Sequence, residues 1–375
     1  MFIAIIVFIA ILALLVLAHE LGHFYTARKL GVNVQEFGIG FPPRLFRFKR
    51  RDTVYSINLL PLGGFVKLKG ESGESRGDPD SFASQKAWKR SIILVAGVSM
   101  NIVLAFFLLT IGFTSGLPTI VDQNNLTQAR DVKIQIFNVL PDSPAAQAGI
   151  KIGDTVVNID GETFNNLEVM QDYIASHENV IMLVKIVGIG QGELEDGKVV
   201  EVAPQVIDQS GGRAVIGVTL IQSGIIAYPW YQSIWMGAKA TGFLFYDTVV
   251  GFGTVIKNLI TEQKAGIEVA GPVGIAVLTG QVVNLGWIYV LQFAALLSVN
   301  LAIINILPFP ALDGGRLLFV IIEKIRRKPN NQKIEAIIHT FGFGLLMLLV
   351  LVITYKDIMR ASGDFFSNLT KFFGS

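Results

Sequence analysis

The 375-residue chain has no cysteine, which excludes disulfides and thiolate metal ligands. Any metal site must therefore be built from imidazole and carboxylate. Histidine is also scarce, with four in the whole chain, so the position of each is informative. Charge is thin as well: Asp, Glu, Lys and Arg make up 16% of residues against 51% hydrophobic ones, outside the balance of a soluble domain. The net charge of +2 is small, and no nucleic-acid partner is expected from it. What the chain does have is long apolar blocks.

The first block runs unbroken from Phe2 to Ala18. It lacks a basic leading region and a small-x-small cleavage site, so a retained span suits it better than a removed signal segment. Three further blocks, near 91–113, 287–307 and 335–355, are long enough at about 20 residues to cross a hydrocarbon core. The segment Phe24–Arg90 carries 13 Lys/Arg against 6 acids, and the loop Arg316–Lys333 is again basic. Basic loops stay cytoplasmic. The insert over 114–224, between the second and third spans, has 14 acids against 6 bases and is expected on the extracytoplasmic side. Residues 225–262 are apolar and aromatic, but Lys239, Asp247 and Lys257 interrupt them; an interfacial helix is expected there, with a fifth span as the alternative.

The first block ends in His19-Glu20-Leu21-Gly22-His23, an HExxH pattern. On a helix, imidazoles at i and i+4 share a face and can grip one Zn²⁺, and the glutamate between them can take a proton from an attacking water. Ionisable residues at membrane depth carry a penalty of about 2.5–3.5 kcal/mol each and usually persist for a purpose. Two histidines need a third protein ligand if one coordination position is to stay open. A candidate lies in Asn305-Ile306-Leu307-Pro308-Phe309-Pro310-Ala311-Leu312-Asp313-Gly314, where two prolines break the third span and present Asp313 on irregular backbone. Without the HExxH, this segment would read better as a helix stop at the interface with a solvated turn aspartate. The expected topology favours the ligand reading, because the first and third spans enter from the same side and deliver their polar ends to the same leaflet.

Within the acidic insert, Ile134–Leu140 and Thr155–Ile159 read as strands, and Asp142-Ser143-Pro144-Ala145-Ala146 as a helix start. The string SPAAQAGIKIGDTVVNIDG from Ser143 resembles a circularly permuted bacterial PDZ domain. That resemblance implies that a last strand near Gly212–Leu220 offers an edge to a peptide C-terminus or extended segment; a module that only filters partners by size fits as well. His177 in this domain reads as a surface residue. Val54–Leu59 and Gly64–Lys69 read as a β-hairpin, and Glu71–Gln85, rich in Gly, Ser and Asp, as a loop that could gate access from the cytoplasm.

HExxH in the first span, a PDZ-like insert and NxxPxPxLDG at the third together resemble the site-2 protease family of intramembrane zinc metalloproteases, and in particular the bacterial regulator-of-sigma-E protease group, here with one PDZ domain. The resemblance extends to Phe37–Pro43, Leu62–Leu68, Gly97–Asn101 and Gly271–Gly274, although Val98 stands where the family often has proline. It implies His19, His23 and Asp313 as Zn²⁺ ligands, Glu20 as catalytic acid/base and Asn305 as a polar group near bound peptide. It also favours Gly64, Phe65 and Val66 of the hairpin as a clamp for an unwound substrate. Gly97 and Asn101 suit close helix packing, with support of the metal site possible, and His339 suits a helix-end histidine reaching for water.

The expected fold class is a polytopic α-helical membrane protein with four transmembrane helices, a membrane-associated β-hairpin and an inserted extracytoplasmic α+β PDZ domain. The expected division is a membrane core over 1–113, the PDZ domain over 114–224, an interfacial segment over 225–284 and a second membrane core over 285–375. The expected activity is endopeptidase cleavage within transmembrane segments of single-span proteins, such as anti-sigma factors, or of remnant signal peptides, in the bacterial inner (plasma) membrane and toward its cytoplasmic leaflet. The alternative is a non-catalytic PDZ membrane adaptor. A solute transporter is disfavoured by the lack of inverted repeats.

Overall fold

A computed structural model describes residues 2–71, 75, 77–121, 125–188, 197–206, 212–261 and 271–373. The chain forms two compact units, one from Met1–Thr110, Trp235–Val283 and Val290–Ser375, the other from Ile111–Ile234 and Asn284–Tyr289.

The first unit begins with helix α1, Phe2–Lys29, which carries the apolar block and HExxH without interruption. Strands β1 (Val34–Arg50) and β2 (Thr53–Leu68) follow, then helix α2 (Ala87–Ser115). The two strands correct the hairpin expected from sequence. Val54–Leu59 and Gly64–Leu68 are not partners of each other. Instead Glu36–Ile39 of β1 lies between them, facing Lys67–Gly64 on one side with opposed numbering and Val54–Ile57 on the other with numbering that rises together. The far end of β1, Arg44–Arg50, closes on Asn58–Thr53 around the turn at Arg51. Among the described residues, Gly64–Leu68 therefore has a strand partner on one side only. Phe24, Phe37, Leu68, Phe82 and Ile93 form a buried cluster that fixes this sheet to the inner parts of α1 and α2.

In the second unit, a six-stranded sheet is built from β3 (Leu117–Ile120), β4 (Arg130–Val139), β5 (Thr155–Ile159), β6 (Met182–Val187), β7 (Lys198–Val202) and β10 (Val218–Ile226), in the order β3-β10-β4-β5-β6-β7. Short strands β8 (Gln205–Val206) and β9 (Ala214–Val215) pair separately. Helix α3 (Pro144–Gln147) starts at the Ser143 cap foreseen in the sequence, and α4 is Leu167–Ser176. Alternation decides the core: Met182, Val184 and Ile186 of β6 point inward onto Ile136, Ile159 and Met170, each full burial contributing about 1.5–3 kcal/mol. The last strand is shifted from the expected Gly212–Leu220 toward Val218–Ile226, because Gly217 turns the chain there. This is the PDZ-like domain, and a cavity of about 130 Å³ between α4 and β10 is lined by Ile174, Ala175, Ile216, Val218 and Leu220.

Helices α5 (Trp230–Ile260), α6 (Pro272–Leu285), α7 (Trp287–Ile306), α8 (Asp313–Arg326) and α9 (Gln332–Phe373) complete the chain. Among the described residues, four helical segments are long and apolar enough to cross a membrane: α1, α2, α7 and Gln332–Met359 of α9. The chain is thus a polytopic membrane protein with an inserted PDZ-like domain. Helix α5 is not one of the four. Its Trp230, Tyr231, Trp235, Phe243 and Tyr246 are exposed, while Gly237 packs against Thr110 of α2.

Candidate metal centre

The two histidines of HExxH lie one helical turn apart on the buried face of α1, with their Nε2 atoms 3.1 Å from each other. Two small residues create the room they need. At Gly22, a Cβ would sit 2.8 Å from the Ala96 carbonyl carbon and 2.9 Å from the Gly97 Cα, so α1 and α2 cross almost backbone to backbone. At Gly97, a Cβ would collide with the His23 ring and come within 2.9 Å of His19 Cε1. The absence of a side chain at Gly97 is the space the imidazoles occupy.

Asp313 reaches the same point from α7. That helix ends at Ile306, Pro308 and Pro310 prevent its continuation, and tight bonds such as Phe309 N–H to the Leu307 carbonyl, 2.7 Å, reverse the chain. Ala311 adopts a left-handed φ of 77°, and its N–H donates to His339 Nδ1 at 2.9 Å. His339 thus pins the break, which corrects the expectation of a ring reaching for water. Gly314 and Gly315 pass directly against the carbonyls of Ile306, Leu307 and Phe309, where no Cβ fits. Asp313 itself is the first residue of α8, with Leu312 as its cap, so the irregular backbone ends just before it. Its Oδ2 lies 3.0 Å from His19 Nε2 and 3.2 Å from His23 Nε2.

These three donors suit a metal ion. Bonds of about 2.0–2.1 Å in a tetrahedron give donor-to-donor edges near 3.3 Å, close to the spacings seen, and all three ligand atoms lie within 4.8 Å of one another. The tautomers agree with this use. His23 Nδ1 lies 2.8 Å from the Ile93 carbonyl, which can only accept, so that nitrogen carries the proton and Nε2 keeps its lone pair for a cation. Two nitrogens and one carboxylate oxygen form the donor set of an open zinc site.

Glu20 is placed by β2. The backbone amide of Val66 lies near its carboxylate, and a Cβ on Gly64 would be 3.7 Å from its Cγ. Gly64 thus faces Glu20 and Val16 of α1 across the strand, while a Cβ on Gly38 would strike the Phe65 ring. Of the residues expected at the site, His19, Glu20, His23, Gly64, Val66 and Asp313 come together. Asn305 lies half-buried in the last turn of α7 and forms no hydrogen bond to the three donors. Within Glu71–Gln85, residues 72–74 and 76 lie outside the described residues. Glu71 is described, and it pairs with Arg316 one turn beyond Asp313 while its other oxygen accepts the Leu68 N–H at 3.2 Å. The strand beside Glu20 is thereby tied to the helix that carries the aspartate. Sequence reasoning missed this pair and the part played by His339, since nothing local in the chain signals contacts across more than 200 positions or between a helix and a remote turn.

The model of peptidase family M50 matches residues 7–349. The chain is similar to the zinc metalloprotease RasP of Geobacillus kaustophilus, 32% identical over 95% of this chain and 98% of that one. It is likewise similar to the regulator of sigma-W protease RasP of Bacillus subtilis, 30% identical over 95% and 98% respectively. Among solved structures, the PDZ domain of an SdrC-like protein from Listeria monocytogenes is 26% identical over 23% of this chain and 85% of that one, with a TM-score of 0.20. With HExxH, the broken third span and a family match over nearly the whole sequence, the chain belongs to peptidase family M50, the site-2 type of zinc metalloprotease.

Proposed function

We propose that this protease cleaves peptide bonds within the transmembrane segments of single-span membrane proteins, anti-sigma factors being the regulatory case and remnant signal peptides the housekeeping one. One observation carries the reading: the donors of two apolar helices, His19 and His23 from α1 and Asp313 from beyond α7, meet within 3.2 Å beside the open strand edge at Gly64–Val66. A site in this position serves a substrate that arrives through lipid. The basic loops argue for an active site toward the cytoplasmic leaflet of the bacterial inner membrane and an extracytoplasmic PDZ-like domain. The exposed aromatics of α5 suit a helix lying along the outer interface.

His19, His23 and Asp313 hold the ion, which when bound supplies Lewis acidity that polarises a carbonyl and acidifies water. The chain's own residues do the rest. A transmembrane helix hides its peptide bonds, so the substrate must unwind, and the edge of Gly64–Val66 offers backbone hydrogen bonds to the extended segment. Glu20 takes the proton from the attacking water and delivers it to the departing amine nitrogen. Asn305, eight residues ahead of Asp313, is left to contact the substrate backbone. The PDZ-like domain receives peptide ends or excludes partners whose outer domains remain untrimmed. The test is Glu20→Gln, expected to lower turnover by about 10²–10⁴-fold while zinc content is kept, and to accumulate single-span stubs in membrane proteomics. Unchanged cleavage, or no accumulating stub, ends this reading.

A further inference from the structure

His19 has a second ring nitrogen, and what it touches has no assigned role. Nδ1 lies 3.5 Å from the side-chain Nδ2 of Asn101 on α2. Asn101 is fully buried at 0% exposure, its Oδ1 has no hydrogen-bond partner among the described residues, and its backbone carbonyl accepts a 2.8 Å bond from Ser298 Oγ of α7. Burying an amide with an unpaired oxygen costs about 1–3 kcal/mol. An apolar side chain would serve helix packing without that cost.

The proton arrangement supplies the reason. His19 Nε2 faces Asp313 and His23, so on the reading above it is the metal-bonding nitrogen and must be bare, which leaves the ring proton on Nδ1. His23 solves the same problem with the Ile93 carbonyl. For His19 the group in the equivalent position is Asn101, and only its oxygen accepts. The amide nitrogen and oxygen of asparagine are interchangeable by a half-turn of the side chain, and which faces a neighbour is decided by the hydrogen-bond network. We propose that Asn101 is a positioning residue whose Oδ1 accepts the Nδ1–H of His19, fixing that ring's tautomer and orientation so that Nε2 stays available to the ion. The Ser298 bond and the close α1–α2 crossing at Gly22 hold the amide in place.

This inference rests on His19, His23 and Asp313 being the zinc ligands, and the experiment separates the two. Zinc dissociation constants are measured by chelator competition on the monodisperse full-length protein for the parent, Asn101→Leu, Asn101→Asp and His23→Ala. Asn101→Leu is expected to weaken zinc binding by about 10- to 100-fold, and Asn101→Asp, which keeps an acceptor, to restore it. Binding by Asn101→Leu equal to the parent, or an Asn101→Asp as weak as Asn101→Leu, overturns the role of Asn101. Undiminished zinc binding by His23→Ala overturns the ligand reading instead. A readout that needs no variant is nitrogen NMR of the zinc-loaded parent labelled at its four histidines. His19 is expected as the Nδ1–H tautomer with slow proton exchange, and an Nε2–H tautomer contradicts the proposal whether or not any substituted protein folds.

Discussion

Gly97→Ala separates what the helix needs from what the metal site needs. In the interior of α2, alanine is the better helix former by about 1 kcal/mol. The added methyl, however, would lie 2.6 Å from His23 Cε1 and 2.9 Å from His19 Cε1, short of an ordinary carbon contact of about 3.5 Å by roughly 0.9 and 0.6 Å. Overpacking of this kind costs about 1–3 kcal/mol, so the net loss of stability is only about 0–2 kcal/mol. The functional loss is much larger. The rings must move by most of an ångström, whereas ligand distances tolerate about 0.2 Å, and a displacement of about 1 Å in a catalytic constellation lowers the rate about 100-fold. The expected result is a protein that inserts and unfolds almost as the parent does, yet binds zinc more weakly and cleaves a single-span substrate in nanodiscs about 100-fold more slowly. Parent-like turnover and zinc affinity in Gly97→Ala would refute the claim that this glycine is the space the imidazoles fill.

Two other outcomes follow from the ion pairs of the first unit. Arg90 is 8% exposed at its side chain and pairs with Glu323 at 3.1 Å, so Glu323→Ala strands a buried guanidinium and is expected to destabilise by roughly 3–5 kcal/mol in denaturant titration of the detergent-solubilised protein; a change under 1 kcal/mol contradicts the pairing. Lys69 hydrogen-bonds Asp80 at 2.7 Å, and this bond holds the Asp80 carboxyl below its ordinary range. A depressed carboxylate stabilises above its unfolded pKa and is lost as pH falls through its folded value, so the protection factors of the Asn33, Lys69 and Phe82 amides, which bond across this corner, should hold at neutral pH and fall only on acidification below the usual carboxylate range, once rates are corrected for intrinsic exchange. A fall in those corrected protection factors between pH 6 and 8 would contradict that sign.

Much of the site was legible in the chain because its signals are local. HExxH is a one-turn spacing, and the proline pair before Asp313 is a break that any apolar helix shows. The PDZ-like domain announced itself through the β-branched runs Ile134–Leu140 and Thr155–Ile159 and the helix start at Asp142–Ala146. The β1–β2 register was not legible, since Glu36–Ile39 takes partners on both sides from one continuous strand, and neither partner is favoured by a turn signal. Residues 60–63 look like a hairpin loop by composition, yet the tight turn is at Arg51, where a positive φ is accommodated without glycine. His339 and Asn101 were visible as polar residues on apolar helices, but their partners are set by helix packing across the fold.

The most direct test is anomalous diffraction at the zinc edge from crystals of the full-length enzyme. A single peak is expected about 2.0–2.2 Å from His19 Nε2, His23 Nε2 and one Asp313 carboxylate oxygen. A peak that leaves Asp313 out, or a fully active enzyme with no zinc between α1 and α8, would contradict the account.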